Sequence, residues 1–141
     1  MSEPNSALTR AAEAVASAAA APLSAKRAML AALLVDAAAD AAFAQSGEDD
    51  VLAFRARLAG RSEALALVFG LCALRPDGPL LVTEAVVVPI EEYPALRVED
   101  FMVSLYNGNS VQRVRIAEGD ARHDVHEVLE KALGDLGQAN R

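Results

Sequence analysis

Residues 66–88 read ALVFGLCALRPDGPLLVTEAVVV, two apolar runs separated by turn chemistry at Arg75-Pro76-Asp77-Gly78. The first run is almost continuously apolar, so hydrophobic periodicity does not separate helix from strand within it. The turn decides. Pro76 presets φ at the first corner and Gly78 can take a left-handed position, which suits a type I turn with a bulge between paired strands. The reading that follows is a hairpin of Ala66–Leu74 with Leu80–Val88. It sets Cys72 opposite Val82, Gly70 opposite Glu84 and Val68 opposite Val86. Both faces of that hairpin are apolar, and both need cover from helices or from a second subunit.

A second hairpin follows. Phe101 to Ile116 flanks Asn107-Gly108, the dipeptide that supplies both positive-φ residues of a type I′ turn. The register puts Phe101 opposite Val114, Val103 opposite Gln112 and Leu105 opposite Ser110, with Arg115 opposite Asp100 as a cross-strand ion pair. Met102, Tyr106, Arg113 and Arg115 then share a charged outer surface. Pro89 ends the preceding strand, and Glu91-Glu92-Tyr93-Pro94 forms an acidic connection between the two hairpins.

Helices flank the strands. Asn5–Ala21 is an Ala-rich helix with Leu8 and Val15 as its large apolar groups, closed by Pro22, and residues 1–23 read as a weakly anchored arm. Ser24 caps a second helix running to about Gln45, with Leu30, Leu33, Leu34, Ala37 and Ala41 at helical spacing and Gly47 as the stop. Asp49 or Asp50 caps a third carrying Val51, Phe54 and Leu58 up to Gly60. Asp124 and Glu127 form a capping box for the last helix. Its Val125, Val128, Leu129, Ala132, Leu133 and Leu136 make a one-sided stripe before Gly137. The expected fold is α+β: N-terminal helices, a four-stranded antiparallel meander of two hairpins, and a C-terminal amphipathic helix, with 24–141 as one domain.

At 141 residues the chain can bury a core without disulfide or metal. Its net charge of −7 opposes binding to phosphate backbones and anionic lipid, so neither nucleic acid nor membrane is an expected partner. Cys72 is the single cysteine, which rules out an internal disulfide and points to a reducing, cytoplasmic setting. Ala14–Ala21 offers A-x-A triplets, but Glu3 and Glu13 stand where a secretion signal would carry positive charge. The longest apolar run, Ala28–Ala44, is interrupted by Asp36 and Asp40 and does not read as a membrane span.

Few residues suggest chemistry. His123 and His126, with Asp124 and Glu127 beside them, have metal-ligand character, but Glu127 is explained by the capping box, and both imidazoles are expected to project into water; no metal or cofactor is expected. Asp36 and Asp40 lie one turn apart and read as a solvated helix face. Glu84 is the unusual carboxylate. On an apolar strand face it is either desolvated, as a ligand anchor would be, or neutralised by an arginine, with Arg55, Arg57 and Arg61 nearest in sequence. No Gly-rich phosphate loop and no G-x-S-x-G context are present.

The preferred expectation is a non-enzymatic, acidic cytoplasmic protein that self-associates as a homodimer, or docks a partner, through its doubly apolar hairpin and Ala-rich arm. The alternative is a small-ligand binder or enzyme with a pocket between helices and sheet, built from Glu84, Arg55, Tyr93 and Tyr106.

Overall fold

The structure, a computed structural model, describes residues 4–87 and 110–139. Four helices come first: α1 (Pro4–Ala20), α2 (Ala25–Ser46), α3 (Val51–Arg61) and α4 (Glu63–Cys72). Strands β1 (Leu80–Val87), β2 (Ser110–Glu118) and β3 (Ala121–Asp124) follow, and α5 (Val125–Ala139) ends the order. The class is α+β, as the pattern of helical and extended segments suggested. Among the described residues the sheet is antiparallel and three-stranded, in the order β1-β2-β3.

The expected first hairpin is wrong in its first arm. Residues 63–72 form α4, so Cys72, Gly70 and Val68 do not pair with Val82, Glu84 and Val86. Ser62 accepts a hydrogen bond from the Leu65 amide at 3.1 Å and caps this helix, with Glu63 in its first turn. Ala and Leu dominate the run, and both are good helix formers. It reads as apolar all round because Ala64, Leu65, Leu67, Val68 and Leu71 are all buried among neighbouring helices. The turn at 75–78 is real, with the Gly78 amide donating to the Arg75 carbonyl at 3.1 Å, but it joins a helix to a strand. Leu74 enters it at a φ of +55°, and Gly78 has no positive φ. Gly70 gives room to Pro79: a Cβ there would lie 3.0 Å from the Pro79 ring.

The partner of β1 is β2, with Leu80 opposite Ala117, Val82 opposite Arg115 and Glu84 opposite Arg113. A further hairpin, not anticipated above, joins β2 to β3 through Gly119-Asp120, where Gly119 has a φ of +58°. Arg115 thus lies between Val82 and Asp124. The arm expected at 98–106, the Asn107-Gly108 turn and Asp100 lie outside the described residues. Leu81, Val114 and Ile116 turn toward the helices and join the core, and Glu84, Arg113, Arg115 and Arg122 occupy the opposite face.

Helix α2 is central, touching α1, α3, α4, α5 and β1. Its caps are those expected: Ser24 accepts from the Arg27 amide, and Gly47 closes the helix at a φ of +78°. The buried face is not. Ala28, Ala31, Ala32, Val35, Ala38, Ala39 and Ala42 are buried, and Leu30 and Leu33 are 53% and 44% exposed. Magnitudes explain the choice. Leu33, Asp36, Ala37 and Asp40 follow i, i+3, i+4, i+7, so turning the leucines inward would carry both carboxylates with them. Burying a leucine is worth about 1.5–3 kcal/mol, whereas stranding a carboxylate in the core costs several. The alanine face therefore goes inward, and small side chains admit α1 closely.

Helix α1 forms the most extensive helix–helix contact of the fold with α2, burying Ala11, Val15 and Ala18. Leu8 reaches α5 beside Gly137. By length and composition α2 could cross a bilayer, but its buried alanine face and its ion-paired aspartates are features of a core helix. The Asp124 half of the capping box of α5 is present, accepting from the Glu127 amide at 3.0 Å, and Val125, Leu129, Ala132 and Leu136 are buried as expected. The helix continues two residues past Gly137.

If the alanine face is the packed one, Ala32→Leu overfills it and lowers stability by about 1–3 kcal/mol in urea unfolding. Leu30→Ala, on the opposite side, is expected to change the stability of the dilute chain by no more than about 0.5 kcal/mol.

Candidate functional site

Helices α3 and α4 meet at Ser62, which is buried and serves both: its amide donates to Leu58 at 3.0 Å and its hydroxyl caps α4. The same hydroxyl donates to Asp135 Oδ2 on α5 at 2.6 Å, and Lys131 Nζ donates to Asp135 Oδ1 at 2.9 Å. The Ser62 hydrogen bond, then that of Lys131, holds the Asp135 carboxyl below the usual aspartate range. Around this junction opens a cleft of about 410 Å³, lined by Arg61, Glu63, His123, Glu127 and Lys131. Glu127, Lys131 and Asp135 recur every fourth residue along one line of the α5 surface, and His123 adjoins them from the end of β3. Nothing here is poised to react. The Ser62 oxygen is engaged as donor and acceptor, and a carboxylate of lowered pKa is a weak general base.

The carboxylate singled out from sequence lies elsewhere. Glu84 stands on the outer sheet face, where Arg115 Nη1 and Arg122 Nε each lie 3.5 Å from its oxygens. It is a third exposed, and its arginines come from β2 and β3 rather than from α3. The Arg115 Nε is buried with no hydrogen-bond partner.

Arg55 is bonded to a different pair. It donates through Nη2 to Asp36 Oδ1 and through Nη1 to Asp40 Oδ1, the latter at 3.0 Å, and its guanidinium stacks 4.1 Å from the Phe69 ring centroid. The two aspartates of α2 are thus the anchor of α3, not the freely solvated pair expected. This clamp was missed because 15 to 19 residues separate its members; the i, i+4 spacing of the carboxylates was its only local signal. Cys72 lies beside it. Burial, then the charge of Asp36, pushes its thiol up to about 12, so it stays protonated and unreactive at neutral pH.

Neither histidine projects into water. His126 Nε2 lies 3.1 Å from the Pro22 carbonyl, tying α5 to the α1–α2 connection, and His123 Nε2 lies 3.7 Å from Glu118. Among the described residues no group of three or more His, Cys, Asp or Glu side chains could hold a metal ion. Tyr93 and Tyr106 lie outside the described residues, and Glu84 and Arg55 have separate partners.

The outer face of α2 stays exposed, its Asp40 paired with Arg55. Lys26, Leu30, Leu33, Ala37, Asp40 and Ala44 are all exposed, with spacings alternating between four and three. Three-four spacing of this kind recurs in helices that pack on one another, and Leu30 and Leu33 are the two large apolar groups of the six. Comparison of the chain with family models, with curated proteins and with solved structures finds no match.

The Ser62–Asp135 junction makes a measurable statement about acid stability. A carboxyl whose folded pKa is depressed stabilises the fold above its unfolded value, about 3.9, and that contribution is lost as pH falls through the folded value. Asp135→Asn is expected to flatten this acid limb in urea titrations between pH 5 and about 2. Ser62→Ala, which removes cap and partner together, is expected to cost about 1–2 kcal/mol at pH 7.

Proposed function

We propose that this chain is a non-enzymatic module that works by self-association, with the outer face of α2 as its contact surface. The observation that carries the reading is the exposure of Leu30 and Leu33 at 53% and 44% on one stripe of a 22-residue helix whose opposite stripe forms the core. Leu52, Leu74 and Val87 are more exposed, at 78%, 75% and 70%, but stand on other elements, whereas Leu30 and Leu33 share one stripe of one helix. The surface differs from the one expected, because the hairpin of 66–74 with 80–88 is not formed, and the sheet face opposite the helices interleaves Glu84, Arg113, Arg115 and Arg122 with Val82, Val86 and the buried Val111.

Support also comes from the reactive side chains. Ser62 caps a helix, Asp135 is bonded to Ser62 and Lys131, Arg55 holds Asp36 and Asp40, and the Cys72 thiol is pushed out of the reactive range. A ligand pocket built on Glu84, Arg55, Tyr93 and Tyr106 has less behind it, since Glu84 and Arg55 are engaged with separate partners. A reducing, aqueous compartment suits a chain with one cysteine and an exposed leucine stripe.

Sedimentation equilibrium between about 1 and 100 µM tests the reading. Leu33→Glu is expected to weaken association at least about 100-fold, equivalent to about 2.7 kcal/mol, with unchanged far-UV circular dichroism. A wild-type chain that remains monomeric throughout would overturn the proposal.

A further inference from the structure

Resting on that reading, we infer that the occupant of the α2 surface is a second copy of this chain lying antiparallel to the first, with Lys26 of each copy level with Ala37 of the other and reaching toward its Asp40, about 4.5 Å further along the helix. The argument is the distribution of charge along the stripe. Its N-terminal end carries Lys26 with Arg27 alongside, its centre carries Leu30, Leu33 and Ala37, and its C-terminal end carries Asp40 with Asp36 alongside. At 1.5 Å per residue, Lys26 and Asp40 are about 21 Å apart, with the apolar centre between them.

A two-fold axis across such a stripe brings each patch onto its complement. Leu30 of one copy packs against Leu33 of the other, and Lys26 passes alongside Ala37 toward the opposing Asp40. Parallel pairing would instead set lysine on lysine and bring together two aspartate pairs that each share a single Arg55, a like-charge arrangement at both ends. Ala37 and Ala44 add no bulk, which lets the helices approach closely along the acidic half. Asp40 is open to this contact: its side chain is 61% exposed although one oxygen accepts from Arg55 at 3.0 Å. The carboxylate retains further acceptor sites for a lysine. Aspartate is held in place by Arg55 before the partner arrives, so ordering it costs little on association.

Charge reversal tests the orientation. Lys26→Glu places two acidic groups together at each end of an antiparallel pair, and the expected result by sedimentation equilibrium at low salt is at least a fivefold weaker dimer. The Lys26→Glu, Asp40→Lys chain restores opposite charges, and its dissociation constant is expected within about twofold of wild type. Because Asp40→Lys also removes a partner of Arg55, a second readout avoids it. In a Cys72→Ala background, oxidation of mixed Lys26→Cys and Ala37→Cys chains is expected to give mainly the mixed disulfide dimer. Homodimeric cross-links at position 26 would mean parallel pairing and would overturn the inference. A wild-type dimer that Leu33→Glu dissociates, yet Lys26→Glu leaves within twofold, would refute the antiparallel arrangement alone. Absence of any wild-type dimer would remove the association reading itself.

Discussion

The rotation of α2 about its own axis is the constraint on which the rest of the structure depends. The helix carries leucines and aspartates on one side and alanines on the other, and only one side can be buried. Dehydrating Asp36 and Asp40 costs more than burying Leu30 and Leu33 would return, so the alanines turn inward. Three consequences follow. Alanine-to-alanine packing lets α1 lie along α2, although α1 has few large apolar groups of its own. The aspartates, held at the boundary of the core, capture Arg55 and position α3. Arg55 in turn stacks on Phe69 and sets α4 against the same helix.

The parts of this fold that were legible in the sequence are those whose information is local. Ser24, Gly47 and Asp50 announce helix ends through side-chain caps and a left-handed glycine, and Asp124 with Glu127 does the same for α5. Strand β1 and the turn at Gly78 were also legible. Residues 66–74 were not, because an apolar helix buried on all sides and a buried strand present the same hydrophobic pattern. The distinguishing evidence was compositional: the run is rich in Ala and Leu, Val68 is its one β-branched residue, and Ser62 stands at capping distance before it. Gly119-Asp120, a two-residue hairpin loop of the glycine-first kind, was readable and outweighed by the more familiar Asn107-Gly108.

The candidate site was less legible for a related reason. Arg55 and its aspartates meet across 15 to 19 residues, and Ser62 and Asp135 across 73, so no spacing rule in one sequence links them. The face of α2 was misassigned because leucine spacing was weighed without the carboxylates that share it. Position 36 follows position 33 by three residues, and a charged group at that offset marks the same surface. Alanine buries little area per residue, yet a stripe of alanines admits a second helix at close range.

Asp40 links the interior to the outer surface. Arg55 fixes its position and so fixes the charge at one end of the α2 stripe, while the apolar middle of that stripe is exposed by the same rotation that made the pairing possible. In the proposed reading, packing and association are consequences of one choice. A ligand that binds only the folded chain stabilises it by mass action, and a second copy seated on α2 is such a ligand. It would favour the rotation in which the leucines face outward, which is also the rotation that keeps α1 and α3 in place. Assembly of the proposed kind would then reinforce the rotation that the aspartates already impose.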